Sequence, residues 1–278
     1  MQAATSSSHP IAPAAAAGGP AVRAWIAVAG RWAAGLVLPA LLFGLWLAAV
    51  RGQWAPEQIL PSPALVWQSF TELWQSGELQ DHLAISASRV AWGLLIGGGA
   101  GLLLGFAMGL SATVRAYVRP TFDVVAQFPV LGWVPLLIIF AGIDEALKVS
   151  AISIAVVVPV AVNTLAGIAN IPHTQVEVAR VYRFKLGQVL RHVVLPASAP
   201  SLFNGLRQAT MQAWLTLVFV ELLASSEGIG YLMVWGRQLG QLDLVVVGML
   251  LIGAVGVSLD VLLRRAESAL LGWRRVAF

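Results

Sequence analysis

The stretch TQVEVARVYRFKLGQVLRHVVLP, from Thr174 to Pro196, decides the fold, because it is basic and helix-patterned and lies between long apolar runs. Thr174 and Glu177 have capping-box spacing, which predicts a helix beginning just after Pro172. Apolar residues then recur at steps of three and four up to Pro196, which is predicted to end the pattern. We therefore predict a basic hairpin of two short helices, joined near residues 185–187. Its cations are Arg180, Arg183, Lys185 and Arg191.

The composition indicates a membrane protein. Apolar residues make up 58% of the 278 residues and charged residues only 11%, and the mean hydropathy is +0.81. Several apolar stretches approach the roughly 20 residues that cross a bilayer as a helix. The fold class we predict is an all-α integral membrane protein with about six transmembrane helices. Because basic loops stay on the cytoplasmic side, the hairpin is expected there.

Six spans with both termini inside best explain where the cations fall. The predicted spans are residues 32–50, 90–110, 121–141, 146–168, 202–224 and 244–263. This topology puts 13 of the 17 lysines and arginines on the inner side, as the positive-inside rule requires. The domain prediction is a disordered cytoplasmic tail at 1–24, a first span with an outer amphipathic segment at 25–81, a transport core at 82–266 and a cytoplasmic tail at 267–278.

The outer segment before the second span carries a short helix signal. Pro61-Ser62-Pro63 opens a stretch in which Val66, Phe70, Leu73 and Trp74 share a face. The helix either rests at the outer membrane interface, with Trp67 and Trp74 near the lipid headgroups, or packs on the other spans. The sequence leaves both possibilities open.

Glycines repeat at every fourth residue along the second predicted span, and so form a stripe on one helix face. Such a stripe lets another backbone approach closely, which is how helices commonly pack in lipid. We predict a helix-packing surface there. The glycines are Gly93, Gly97, Gly101, Gly105 and Gly109.

The sequence contains no motif for catalysis or cofactor binding. A G-x-x-x-x-G-K-[ST] phosphate loop is missing, so the chain is not expected to hydrolyse ATP. The four histidines are scattered without metal-ligand spacing, and there is no cysteine. The cations lie in short loops beside apolar runs, which argues against nucleic-acid binding. We predict no enzyme activity, metal site or cofactor in this chain.

Polar side chains within the spans are candidates for a translocation path, because such groups are costly in lipid. Asp123 and Asp260 have nearby partners in Arg119 and Arg264. Glu221 lies near the outer end of its span, and pathway and structural roles for it are both open. The candidates for the path are Gln127, Asn163, Thr164 and Glu221.

The hairpin resembles a known family. Glu177-Val178-Ala179 and Val194-Leu195-Pro196 look like the EAA loop of ABC importer permeases, the segment that docks on the ATP-hydrolysing subunit. That family normally has glycine where this chain has Arg183, with Gly187 four residues further on. Residues 60–63, 88–93, 159–167 and 221–231 are similar to permeases for alkanesulfonates, taurine and nitrate. The alternative for the hairpin alone is a solvated basic loop that holds two helices apart.

The resemblance implies a type I ABC importer permease fold with a cytoplasmic EAA coupling-helix loop, in the inner membrane of a bacterium. It implies ABC ATPase subunits that bind ATP and Mg, an extracytoplasmic solute-binding protein, surrounding lipid, and a second permease copy that forms a homodimer. The solute would be a small organic or inorganic anion such as a sulfonate, taurine or nitrate. The implied ATPase-coupling residues are Glu177, Ala179, Arg180, Gly187, Leu195 and Pro196.

Two other functions compete with this one. An ion-coupled secondary transporter would use Glu221 or Asp123 as a relay and would need no ATPase. A structural membrane subunit would assemble other proteins without moving a solute.

Overall fold

The structure, a computed structural model, describes the backbone of residues 20–271 and the side chains of residues 35–271. This part of the chain is all-helical, which confirms the predicted class, and a π-helical turn, Leu190–Val194, joins two of the helices. The helices are α1 (Pro20–Arg51), α2 (Pro63–Ser76), α3 (Glu78–Leu110), α4 (Ala112–Val125), α5 (Val130–Ala141), α6 (Glu145–Ala169), α7 (His173–Val181), α8 (Leu186–Val189), α9 (Leu195–Ala224), α10 (Ile229–Leu239) and α11 (Leu242–Leu270).

The chain divides into two compact units after Glu57. The first unit holds α1, which begins at Pro20, so residues 20–24 of the predicted disordered tail are helical. Proline suits a first helical turn, and the alanines that follow are strong helix formers. Residues 1–19 lie outside the described part of the chain. In the second unit α11 runs to Leu270, and most of the predicted tail at 267–278 likewise lies outside it.

Four helical stretches of the second unit are long and apolar enough to cross a bilayer. They are Glu78–Leu110, Glu145–Ala169, Leu186–Leu239 and Leu242–Leu270. The pair α4 and α5 adds a fifth, broken span, bent by 92°. In α1, the stretch Gly35–Arg51 is apolar but shorter than the others. The six predicted spans correspond to these five and α1.

The break between α4 and α5 lies at residues 126–129, inside the predicted third span. Pro129 is the N-cap of α5, with extended backbone (φ −63°, ψ 137°), so α4 cannot continue through it as a helix. Pro120 and Pro135 lie within helices instead. Only one of the prolines in this region therefore marks the sharp bend, which places α5 across the end of α4.

The glycine stripe of α3 faces α6 along its whole length. A methyl group added at Gly101 would lie 2.8 Å from the carbonyl oxygen of Val157, and one at Gly105 would lie 2.5 Å from Cβ of Thr164. Separations this short are below van der Waals contact, so the two backbones are as close as glycine permits. Gly93, Gly97 and Gly109 meet α6 in the same way.

The core of the second unit lies where α6 and α9 meet α3. Ile152, Val156 and Leu217 are fully buried there. Trp214 of α9 packs in the same cluster, and its indole Nε1 donates to the carbonyl oxygen of Ile252 at 3.1 Å, which ties α11 to α9. A buried indole N–H needs such a partner. These helices form the rigid frame on which the hairpin and the cavity described below are built.

The amphipathic segment forms α2, capped as its sequence predicts. Ser62 is the N-cap, and its hydroxyl accepts from the Leu65 N–H at 3.2 Å. Ser69 is buried and donates to the Asp243 carboxylate at 2.5 Å, so α2 packs on α11. Trp67 and Trp74 remain exposed. Packing on the spans is thus observed, and the placement of the tryptophans at the lipid headgroups stays a prediction.

Candidate functional site

The first helix of the hairpin, α7, begins directly after Pro172, where the sequence predicted it. The predicted capping box is wrong, however. Pro172 itself is the N-cap, and no side chain caps the helix. A capping box requires its threonine at the N-cap, and Thr174 lies inside the helix instead. Glu177 is therefore not needed to cap α7, and its side chain is exposed.

Arg183 occupies the left-handed position that ends α7. Its φ is +50°, its N–H donates to the Arg180 carbonyl at 2.9 Å, and the Phe184 N–H donates to the Ala179 carbonyl at 3.0 Å. These two bonds define a Schellman motif, whose left-handed residue is usually glycine. This is the position at which the resembled family has glycine. The turn therefore forms here with arginine in a conformation that non-glycine residues rarely adopt.

The second half of the hairpin runs into α9 without a stop, which contradicts the prediction that Pro196 ends it. Leu190–Val194 form a π-helical turn, and Pro196 lies in the first turn of α9. Proline lacks an N–H and its ring crowds the carbonyl of the preceding turn. The wider π turn lies next to the proline, at the point where the normal hydrogen-bond register would be interrupted. The hairpin thus continues without a break into a candidate membrane span.

The surface of the hairpin is exposed, and its charges are unpaired within the part of the chain that the structure describes. The side chains of Glu177, Arg180, Arg183 and Arg191 make no hydrogen bond or ion pair with the described residues, and neither does the Lys185 ammonium. Exposed apolar residues lie among them: Val178, Val181, Tyr182 and Leu186. Ala179 is only 3% exposed, so of the residues assigned to coupling it is the one turned inward. Unpaired charges around exposed apolar side chains are typical of a protein-docking surface.

A cavity of about 1460 Å³ opens between α4, α5, α6 and α9. Most of its wall is apolar. The amide and charged side chains on the wall are Asn163, Asn204, Arg207, Gln208, Gln212 and Asp260. A large cleft with a few convergent polar groups is the usual form of a small-molecule site.

Of the four residues predicted for the translocation path, the structure places one on this cavity. Asn163 lines it. Thr164 is buried against the glycine stripe and donates to the Val160 carbonyl at 2.7 Å. Gln127 is exposed in the break after α4, where it donates to the Asp123 carbonyl at 3.3 Å. Glu221 lies away from the cavity, in the cluster described next.

Glu221 is part of a buried charge cluster centred on Arg89 of α3. Arg89 is 2% exposed; it donates to Glu221 at 2.7 Å and, through two nitrogens, to Glu145 at 2.6 and 2.7 Å. The other Glu221 oxygen accepts from the Gly230 N–H at 2.9 Å. Because Arg89 joins α3, α6 and α9, and also donates to the carbonyl of Glu227 at 2.8 Å, these bonds hold the α9–α10 turn on the bundle. This satisfied network favours the structural role for Glu221 over a pathway role.

The two other acids considered for the relay or found near span ends, Asp123 and Asp260, also have partners. Asp123 pairs with Arg119 at 3.4 Å on an exposed face. Asp260 pairs with Arg264 at 2.8 Å, as the sequence predicted, and with Arg207 at 2.7 Å, which it did not. Among the described residues, no group of three or more possible ligands could hold a metal ion. The ion relay of the secondary-transporter alternative thus has no unpaired carboxylate among the residues on which it was based.

Comparison with known proteins favours the importer permease over the secondary transporter and the structural subunit. Residues 97–271 match the family described as binding-protein-dependent transport system inner membrane component. This chain belongs to that family. This chain is 37% identical to the aliphatic sulfonates transport permease SsuC of Bacillus subtilis, over 87% of this chain and 88% of that protein. It is 30% identical to the taurine transport system permease TauC of Escherichia coli over 84% and 87%.

Two further likenesses are more distant. The nitrate import permease NrtB of Leptolyngbya laminosa is 29% identical over 80% of this chain and 81% of that protein. Among solved structures, a chain of the MetNI methionine ABC transporter in an inward-facing conformation covers 73% of this chain at 17% identity, with a TM-score of 0.49. Family membership makes this chain a multi-pass transport component of the permease type.

The predicted topology misplaces three cations that the structure finds within helices. The predicted topology puts Arg89 and Lys148 among its four outer cations, but both are buried within helices. The same topology puts Arg207 among the 13 inner cations, and in the structure it lines the cavity from α9. A usable signal for Arg207 was present, since Asn204, Arg207 and Gln208 recur at steps of three and four within an otherwise apolar span.

Proposed function

We propose that this chain is the permease of an ATP-driven importer, and that the hairpin from α7 to the π turn is its docking element for an ABC ATPase subunit. The observation that carries the proposal is the exposed hairpin, whose charges have no partner among the described residues. Two such chains would face each other as a homodimer in a bacterial inner membrane, with both termini cytoplasmic. ATP and Mg would be held by the ATPase alone.

The solute is proposed to be a small anion delivered by an extracytoplasmic binding protein. Support comes from relatives named for the transport of aliphatic sulfonates, taurine and nitrate. The cavity at α4, α5, α6 and α9 would form each protomer's half of the path. Binding of nucleotide must then favour one conformation of the pair over the other, because a ligand shifts an equilibrium only through its differential affinity.

The roles within the hairpin follow from exposure and geometry. Glu177 and Arg180 lie three residues apart on one face of α7, and both are exposed. They are proposed to pair with charges of the ATPase. The segment from α8 through the π turn into the start of α9 would transmit displacement of the hairpin into α9. Its residues assigned to coupling are all exposed: Gly187, Leu195 and Pro196. Ala179 is buried, and its small side chain would let α7 lie close to the π turn.

The test is reconstitution of the permease with its ATPase and binding protein in liposomes. Glu177→Lys is expected to lower ATP-driven uptake at least roughly tenfold and to reduce co-purification of the ATPase. The lysine would face the ATPase cation that the Glu177 carboxylate is proposed to contact, and the two positive charges would repel. Asp81→Lys makes the same charge change at an exposed residue at the start of α3, and should keep the ATPase bound. Unchanged uptake and co-purification for Glu177→Lys would remove the hairpin from the coupling role.

A further inference from the structure

One face of α9 changes from polar to apolar along its length. Asn204, Gln208, Gln212, Leu215 and Phe219 are all exposed, and all line the cavity. They follow one another at steps of three and four, so they form one row on the helix. At 1.5 Å per residue the row is about 22 Å long. Its polar part lies nearer the hairpin, and its apolar part lies nearer α10.

The hydrogen bonds of this row fix which amide atoms face the cavity. The carbonyl oxygen of Pro159 can only accept, so the Asn163 Nδ2 that meets it at 2.8 Å is the donor. The same Nδ2 donates to Oε1 of Gln208 at 2.9 Å, and Oδ1 of Asn163 accepts from Asn204 at 2.9 Å. The Gln208 NH₂ group therefore has no partner among the residues that the structure describes. The side-chain amide of Gln212 also has no partner among the described residues.

The charges beside this row leave a positive excess. Asp260 accepts from Arg207 at 2.7 Å and from Arg264 at 2.8 Å, so two guanidinium groups share one carboxylate. Arg207 and Asp260 both line the cavity. Among the described residues of the wall, Asp260 is the only acidic one. Free amide donors next to a surplus positive charge favour an anionic group at this end.

The opposite end of the cavity, as far as the structure describes it, carries no amide or charged side chain. Its wall includes Leu215 and Phe219 of α9, Val158 of α6, and Phe128 and Trp133 from the broken span. An inorganic anion would gain nothing from this surface, whereas an alkyl chain would be removed from water there. The two ends together fit one amphipathic solute.

We propose that Gln208, Gln212 and Arg207 form a subsite for the oxyanion headgroup of an organic acid, and that the apolar chain of the solute lies along the Leu215 and Phe219 end. This rests on the proposed import function and narrows its substrate class to anions with an apolar chain. The headgroup contacts the two free amides directly, and Arg207 contributes charge while it remains paired with Asp260.

The test uses the complete complex in proteoliposomes, with octanesulfonate and methanesulfonate as probes. Gln208→Glu keeps the acceptor for Asn163 but removes the donor and adds a negative charge. It is expected to lower uptake of both probes at least roughly tenfold. Gln208→Asn, which retains an amide donor, should keep more uptake than Gln208→Glu. Gln238→Glu, at an exposed glutamine of α10 away from the cavity, is the matched control and should transport normally.

The apolar end is tested with Phe219→Ala, which should lower octanesulfonate uptake several-fold more than methanesulfonate uptake. ATP hydrolysis stimulated by the loaded binding protein is measured throughout, because a misfolded variant would lose it. If the wild-type complex imports a probe and Gln208→Glu imports it equally well, the subsite is overturned while the import function stands. If the wild-type complex imports nitrate or taurine with its partners and ATP present but neither probe, the subsite is overturned while the import function stands. If it imports none of these anions, the proposed import of a small anion is overturned as well.

Discussion

Nη1 of Arg89 lies 2.7 Å from Oε1 of Glu221, and both side chains are buried although 132 residues separate them in the chain. Arg89 also donates to the Glu145 carboxylate and to the carbonyl of Glu227 in the α9–α10 turn. Charges taken out of water are tolerated only when they are paired and hydrogen-bonded, so loss of one partner leaves the other uncompensated. The contact therefore ties α3, α6 and α9 together.

Arg89→Ala is expected to lower the free energy of unfolding by about 3–5 kcal/mol, because it leaves Glu221 buried without its cation. Thermal unfolding of the detergent-solubilised protein measures the change. Arg119→Ala breaks an exposed ion pair with Asp123 and should cost less than about 1 kcal/mol. Equal losses for the two variants would contradict a special role of the buried pair.

Gly97→Ala is expected to destabilise the bundle by about 1–3 kcal/mol, because the added methyl would overlap the Ser153 carbonyl and force α3 away from α6. Gly99 lies on the same helix with nothing near its missing Cβ. Gly99→Ala should therefore be neutral or slightly stabilising. A thermal shift of the same size and sign for both variants would show that the close approach of α3 and α6 does not matter.

Arg183→Gly is expected to stabilise the hairpin by up to about 1 kcal/mol, since glycine adopts the left-handed conformation without strain. Arg180→Gly removes the same side chain from a helical position of α7 and should cost about 1 kcal/mol. Amide hydrogen exchange across residues 173–185 reports both changes. Faster exchange in Arg183→Gly would argue against strain at this residue.

The proposed topology predicts opposite labelling of two introduced cysteines. The chain contains no cysteine, so each variant carries a single reactive thiol. A membrane-impermeant maleimide on intact cells should label Asp81→Cys, at the start of α3, and should label Gln175→Cys, in the hairpin, only after the membrane is opened. Labelling of Gln175→Cys in intact cells would place the hairpin outside and exclude contact with a cytoplasmic ATPase.

Features set by local periodicity could be predicted from the sequence. The glycine repeat from Gly93 to Gly109 predicts a close helix contact without further information, because the spacing alone puts the glycines on one face. Ser62 and Pro63 predict the start of α2 in the same way. The ends of spans were less well predicted. Pro20 and Pro196 both stand in a first helical turn, where proline is tolerated, rather than at a stop.

Features set by long-range contacts could not be predicted in this way. The partners of Arg89 are 56 and 132 residues away, and no local pattern joins them. The cavity row of α9 shows a weak periodic signal, but the bonds that direct the Gln208 amide come from Asn163 on another helix. Only tertiary structure shows which of the polar side chains in the spans, Asn163 or Thr164, reaches open space.

The helical path from the π turn through α9 has a mechanical consequence. α9 is 30 residues long, or roughly 45 Å at 1.5 Å per residue, and it begins directly at the hairpin. Gln208 lies near the middle of α9, and Glu221 lies near its C-terminal end. A tilt at the hairpin end of α9 would therefore displace the cavity-lining row and the Glu221 contact with Arg89 at the same time.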